Sequence, residues 1–188
     1  MLHAVFANHP IFDRIESRTM HHYPDLIQLF NTCFESTHNT QLFCGDEEPI
    51  YLPADQNNSF NTIIFAHGFF SSALHEIAHW MIAGDERRKQ VDYGYWYVPD
   101  GRNVEQQAEF QQVEVKPQAM EWVLSMAAGH RFQFSIDNLN GEETDPEPFK
   151  LAVQQQKIVY LQQGLPARAD KFCRVLRDFY QSPGQRDT

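Results

Sequence analysis

The sequence has no long hydrophobic run and few basic residues, and each shortage argues against a class of protein. No segment approaches the run of about 18 apolar residues that a membrane-spanning helix needs, so we expect no membrane association. Lys and Arg number 15 against 25 Asp and Glu, which gives a net charge of −10. Since nucleic-acid binding usually requires a basic face, we expect no direct binding of DNA or RNA. The same balance suits a substrate with exposed amino groups.

Cysteines are also few. Cys33, Cys44 and Cys173 lie far apart in the sequence and form no CxxC pair. This odd, dispersed set argues against a disulfide framework and against a structural zinc knuckle. The N-terminus lacks a basic segment followed by an apolar one, so a signal peptide is not expected. Together these features favour a cytoplasmic protein with free thiols.

The chain is long enough for one domain with a substantial core, since 42% of its 188 residues are hydrophobic. Residues 1–19 have mixed polarity without clear periodicity, and we interpret them as an N-terminal extension. The rest, residues 20–188, is then a single domain.

Hydrophobic periodicity and turn residues predict the order of helices and strands. Strands are predicted at residues 40–43, 50–52, 62–66, 93–98 and 132–134, with the apolar third strand at the centre of the sheet. Helices are predicted at residues 25–34, from Ser71 or Ser72 to Gly84, from Asn103 to Gly129 with a kink or restart at Pro117, and at residues 147–163 and 167–181. The sum is an α/β or α+β fold with a small mixed sheet packed among helices.

The most informative motif is HExxH, formed by His75, Glu76 and His79. Residues four apart lie on one face of a helix, about 6 Å apart along its axis, so both imidazoles can bind one divalent metal ion. Glu76 can act as a general base or as a hydrogen-bonding partner of the site. The motif therefore predicts a metal site on a buried helix.

Two histidines do not complete such a site, and a third ligand must come from elsewhere in the chain. Glu114 is the first candidate, because it lies between two valines beside the expected kink at Pro117. Glu121, two helical turns further on, is the rival carboxylate. Alternatively, Glu114 pairs with Lys116 or Gln118 at the surface.

Three further features are weaker candidates for binding. His67 follows the central strand, where binding residues often gather. Residues 46–48 are all acidic and form either an anionic wall for an amine substrate or a solvated turn. The aromatic residues at 93–97 either surround a cation or pack in the core.

Taken together, several short blocks resemble the bacterial elongation factor P hydroxylase family. These are GDEEPIYLPAD at 45–55, FAHGF at 65–69, HEIAHW at 75–80, GYWY at 94–97, PDGR at 99–102 and VEVKPQA at 113–119. The resemblance extends over about residues 20–181 and is more specific than HExxH alone.

This resemblance implies a non-haem Fe(II) enzyme that uses oxygen to hydroxylate the β-lysylated lysine of elongation factor P, the final step of its modification. It implies metal ligation by His75, His79 and Glu114, and a fold like that of a metal-dependent endoribonuclease family. Because this histidine pair sits on a helix and not on a β-barrel, 2-oxoglutarate is not assumed as a cosubstrate. Other divalent ions can also occupy such ligands in vitro.

Two alternatives stay open from the sequence. A zinc-dependent hydrolase, either a peptidase or a ribonuclease, would use the same HExxH motif with Glu76 as the base. A non-catalytic module that recognises elongation factor P or the ribosome would need neither metal nor base.

Overall fold

The computed structural model describes residues 21–46, 48–92, 100–136, 138 and 140–182. The extension at 1–19 and the strand predicted at 93–98 lie outside these residues. The described residues form five helices and three strands: α1 (Tyr23–His38), β1 (Thr40–Gly45), β2 (Ile50–Leu52), β3 (Asn61–Ala66), α2 (Phe70–Ile82), α3 (Val104–Ala128), α4 (Glu147–Gln163) and α5 (Ala167–Gln181).

The three strands form one small mixed sheet in the order β1-β3-β2. Strand β1 runs parallel to β3 with Thr40 opposite Asn61, and β2 runs antiparallel to β3 with Ile50 opposite Ile64. As predicted, the apolar strand β3 lies at the centre, where both of its edges are paired. The fold is therefore α+β with a small mixed sheet, as the sequence predicted.

Helix α2, which carries the HExxH motif, packs its apolar stripe into the main core. The stripe consists of Leu74, Ile77, Ala78 and Met81, which are all fully buried. Helices α1 and α5 complete this core through Phe30 and Phe172, whose ring centroids are 5.7 Å apart. The Phe30 ring also lies 5.3 Å from that of Trp80 on α2. The metal motif thus stands on a helix that is fixed along its opposite face.

The predicted start of α2 is wrong. Its N-cap is Phe69, without a side-chain cap, so Ser71 and Ser72 lie inside the helix. The chain turns sharply before the helix, where His67 and Gly68 both have positive φ angles (59° and 67°). Because of this turn, the helix begins earlier than predicted. At the other end the C-cap is Ala83, so the predicted stop at Gly84 is confirmed as the C′ position.

Helix α3 is one continuous element of 25 residues that begins, as predicted, after Asn103, which forms a capping box with Gln106. It does not restart at Pro117, because one missing backbone hydrogen bond is outweighed by tertiary packing of the buried turns on either side. It ends at Gly129, which adopts the expected left-handed conformation. The predicted bounds of α4 and α5 are confirmed.

The strand predicted at 132–134 is wrong, since residues 131–136 form no regular element. Phe132 and Phe134 are two residues apart, and both pack on Trp122 of α3. Their ring centroids lie 4.9 Å and 5.3 Å from that of Trp122. Their spacing therefore reflects contact with a helix and not membership of a sheet. No helix in the described part of the chain has the length and apolar character needed to cross a membrane.

Candidate metal centre

The site is formed where α2 and α3 meet. His75 and His79 project from α2, and their Nε2 atoms lie 3.0 Å apart. The Glu114 carboxylate of α3 lies 3.6 Å from Nε2 of His75 and 3.4 Å from Nε2 of His79. Among the described residues this is the one group of three whose ligand atoms all fall within 4.8 Å of one another.

The exposure of the three side chains indicates a pocket with one open side. Glu114 is only 3% exposed, whereas His75 and His79 are 26% and 17% exposed. Glu114 is thus no surface carboxylate paired with Lys116, as one alternative had it. A buried carboxylate facing two partly accessible imidazoles can hold an ion that solutes reach from one side.

The charges of these groups are strongly coupled. Burial alone would lower the pKa of His75, but the carboxylates of Glu114, Glu121 and Glu76 outweigh it and raise that pKa to about 10. Burial would raise the pKa of Glu114, but His79 and His75 together lower it to about 2. The metal-free site thus keeps an anionic Glu114 beside a protonated His75. A divalent ion that binds here must displace the proton from the ligand nitrogen.

Glu121, the rival ligand, occupies a different position. Its Oε2 atom lies 2.9 Å from Nδ1 of His75, on the far side of the ring from Glu114. Glu114 in turn lies 3.5 Å from the Gln118 amide, which also donates to the Ser135 carbonyl at 2.7 Å. Helix α3 therefore supplies the Glu114 carboxylate to the ligand group. It also supplies the Glu121 carboxylate, which contacts Nδ1 of His75 on the other side of the ring.

Glu76 lines a cavity of about 100 Å³ that is also lined by His79. Burial raises the pKa of Glu76, and the two motif histidines act against this. Asp92 lines the same cavity, and Arg87 donates to its Oδ2 at 2.8 Å. Its Oδ1 is buried and has no hydrogen-bond partner among the described residues. Sequence reasoning missed Asp92, which follows a charged turn and carries no motif.

The weaker candidates are not brought into the ligand group. His67 is exposed at the end of β3. Asp46 and Glu48 are exposed, as expected for a solvated turn. Glu47 and the aromatic residues at 93–97 lie outside the described residues.

Two imidazoles and one carboxylate suit divalent iron, zinc or manganese, and three protein ligands leave coordination positions free. Fold and site together thus define an α+β protein in which two histidines of one helix and a carboxylate of another could hold a metal ion. The profile of the Elongation factor P hydroxylase family matches residues 29–188. A protein of Haemophilus influenzae named Elongation factor P lysine hydroxylase is 55% identical over 162 residues, which are 86% of this chain and 91% of that relative.

The chain therefore belongs to the elongation factor P hydroxylase family. This confirms the resemblance drawn from the short sequence blocks.

Proposed function

We propose that this protein hydroxylates the β-lysylated lysine of elongation factor P, as the final step of its modification, with Fe(II) held by His75, His79 and Glu114. The family and the name of the Haemophilus relative support the protein substrate and the reaction. The observation that carries the chemistry is the grouping of two imidazoles and one buried carboxylate within 4.8 Å. Such a ligand set with open positions is typical of non-haem iron oxygenases.

The overall reaction fixes what the site must handle. A C–H bond of the substrate becomes C–OH, and the second atom of O₂ leaves as water with two electrons from a reductant and two protons. Bound iron would supply the redox chemistry. Residues of the protein would hold the ion and orient the modified lysine side chain of the substrate. The pocket is open on the side where His75 and His79 are accessible.

The cavity beside His79 supports a substrate that carries amino groups. Glu76 and Asp92 line this cavity together with Arg87 and Arg88, and Arg87 pairs with Oδ2 of Asp92. Oδ1 of Asp92 is left buried without a hydrogen-bond partner among the described residues, which is costly. A primary ammonium group of the β-lysyl-lysine side chain would donate to this oxygen. We propose that this cavity, and not the turn at 46–48, receives a cationic end of the substrate.

Replacing Asp92 by asparagine tests this role. We expect KM for β-lysylated elongation factor P to rise about tenfold with kcat little changed, because a charge-assisted hydrogen bond contributes about 1.5–3 kcal/mol. Steady-state kinetics would measure this. Glu86→Gln is the control, since Glu86 lies in the same segment with its side chain 83% exposed. An unchanged KM in Asp92→Asn would refute the assignment.

The function itself is tested by the intact mass of β-lysylated elongation factor P after aerobic incubation with the Fe(II)-loaded protein and a reductant. We expect a gain of one oxygen atom, and no gain without oxygen or with zinc in place of iron. The zinc hydrolase alternative makes the opposite prediction: oxygen-independent cleavage by the zinc form that is lost in Glu76→Gln. No mass gain with iron bound and cellular reductants present would refute the hydroxylase.

Four expectations accompany this proposal. Residues 20–188 act as a single domain behind the extension at 1–19, the protein works in the cytoplasm, and it binds no nucleic acid directly. The likeness to a metal-dependent endoribonuclease fold also stays a prediction.

A further inference from the structure

The geometry points to Glu121 as the positioning residue of this centre: it holds His75 so that Nε2, and not Nδ1, faces the metal. This inference rests on the proposed metal centre, but not on its reaction. It assigns Glu121 a role distinct from that of a ligand.

The two nitrogens of His75 have different neighbours. Nδ1 lies 2.9 Å from the Glu121 carboxylate, while Nε2 lies 3.0 Å from Nε2 of His79 and 3.6 Å from Glu114. A carboxylate only accepts hydrogen bonds, so Nδ1 of His75 must carry a proton. With the proton on Nδ1, the lone pair of a neutral His75 is on Nε2 and points into the ligand group.

The position of Glu121 in the fold supports the same role. It is 7% exposed, and a buried carboxylate is stable only with a partner, which here is His75. Glu114 and Glu121 are seven residues apart, two turns of α3, so both face α2. One rigid helix therefore fixes the ligand carboxylate and the orientation of a ligand histidine at the same time.

Gln118 lies between these two carboxylates but contributes less to orientation. Its amide is 3.5 Å from Glu114, near the limit of a hydrogen bond, and is engaged more closely by Ser135 at 2.7 Å. Of these two contacts, the short one between Glu121 and His75 is therefore the one suited to orient a ligand from outside the ligand group.

Metal binding tests the inference without reference to catalysis. The full-length protein is freed of metal by chelation and titrated with Co(II), whose visible spectrum reports both affinity and coordination geometry. We expect Glu121→Ala to weaken Co(II) binding about 10–100-fold, the usual cost of losing such a partner. Glu121→Gln keeps an acceptor oxygen and should lose less. Glu109→Gln, on an exposed turn of the same helix, is the control and should bind as the wild type does.

A second measurement separates positioning from general stability. In the Zn(II)-loaded wild type, the Nδ1 proton of His75 should give a slowly exchanging imidazole resonance in NMR spectra. This resonance should persist in Glu121→Gln and disappear in Glu121→Ala.

If the alanine variant fails to fold, the Co(II) affinity of Glu121→Asp is measured instead. It keeps the charge but withdraws the carboxylate by one methylene group, so an affinity loss of about tenfold is expected. Wild-type affinity and an unchanged Co(II) spectrum in the folded alanine or aspartate variant would overturn the inference. The proposed function fails separately, if wild type binds metal and never hydroxylates.

Discussion

Replacing His79 by alanine should reduce hydroxylation of β-lysylated elongation factor P more than about a hundredfold while the protein stays folded. Changes outside the ligand group typically cost 10–100-fold in affinity or activity, and loss of one of three ligands must cost more. His79 lies beside Glu114 at 3.4 Å and faces the pocket, so its removal leaves no void in the main core. His75→Ala should behave in the same way.

The measurement is the intact-mass assay combined with circular dichroism and metal analysis of each variant. His22→Ala is the matched control, because His22 is an exposed histidine at the start of α1 without a side-chain cap hydrogen bond. It should retain full activity and bound iron. A His79→Ala protein that still transfers oxygen at the wild-type rate would remove this histidine from the centre.

The second large effect concerns stability: Phe30→Ala should lower the free energy of unfolding by about 3–5 kcal/mol. Phe30 is fully buried, and its ring lies 4.9 Å from Phe34, 5.3 Å from Trp80 and 5.7 Å from Phe172. Alanine would leave a cavity where α1, α2 and α5 meet. This loss is a large part of the 5–15 kcal/mol typical of a whole domain.

Urea unfolding followed by circular dichroism would measure this loss, and thermal unfolding should shift by about 10 °C. Phe43→Ala is the control, since Phe43 on β1 is 44% exposed and should cost less than about 1 kcal/mol. Because Trp80 adjoins His79 in sequence, metal affinity should fall together with stability in the Phe30 variant. A decrease of less than about 1 kcal/mol in the free energy of unfolding of Phe30→Ala would show that neighbouring side chains fill the cavity.

Features encoded locally could be predicted from the sequence. Helices α4 and α5 were predicted with the right bounds because Gly164 and Pro166 separate two periodic segments. The histidine pair followed from helical spacing alone. The strand at 132–134 was wrong because the alternation of Phe132 and Phe134 comes from contact with α3, which sequence periodicity does not reveal.

The rest of the site depends on how α3 packs against α2. Glu114 and Glu121 lie on one helix face, so sequence could name both as candidates but could not separate their roles. Only their placement beside opposite nitrogens of His75 distinguishes them. Asp92 was missed altogether, since it enters the cavity from an irregular segment after a charged turn.

The division of the ligand group between two helices has a consequence for the lifetime of the protein. An ion held by His75, His79 and Glu114 fastens α2 to α3, so it binds the folded chain far better than the unfolded one. At a free metal concentration 100 times the dissociation constant, such binding adds about 2.7 kcal/mol to stability. With Fe(II) as the proposed ion, iron starvation would remove this contribution and the chain would be degraded faster. The supply of metal would then set the amount of the enzyme as well as its activity.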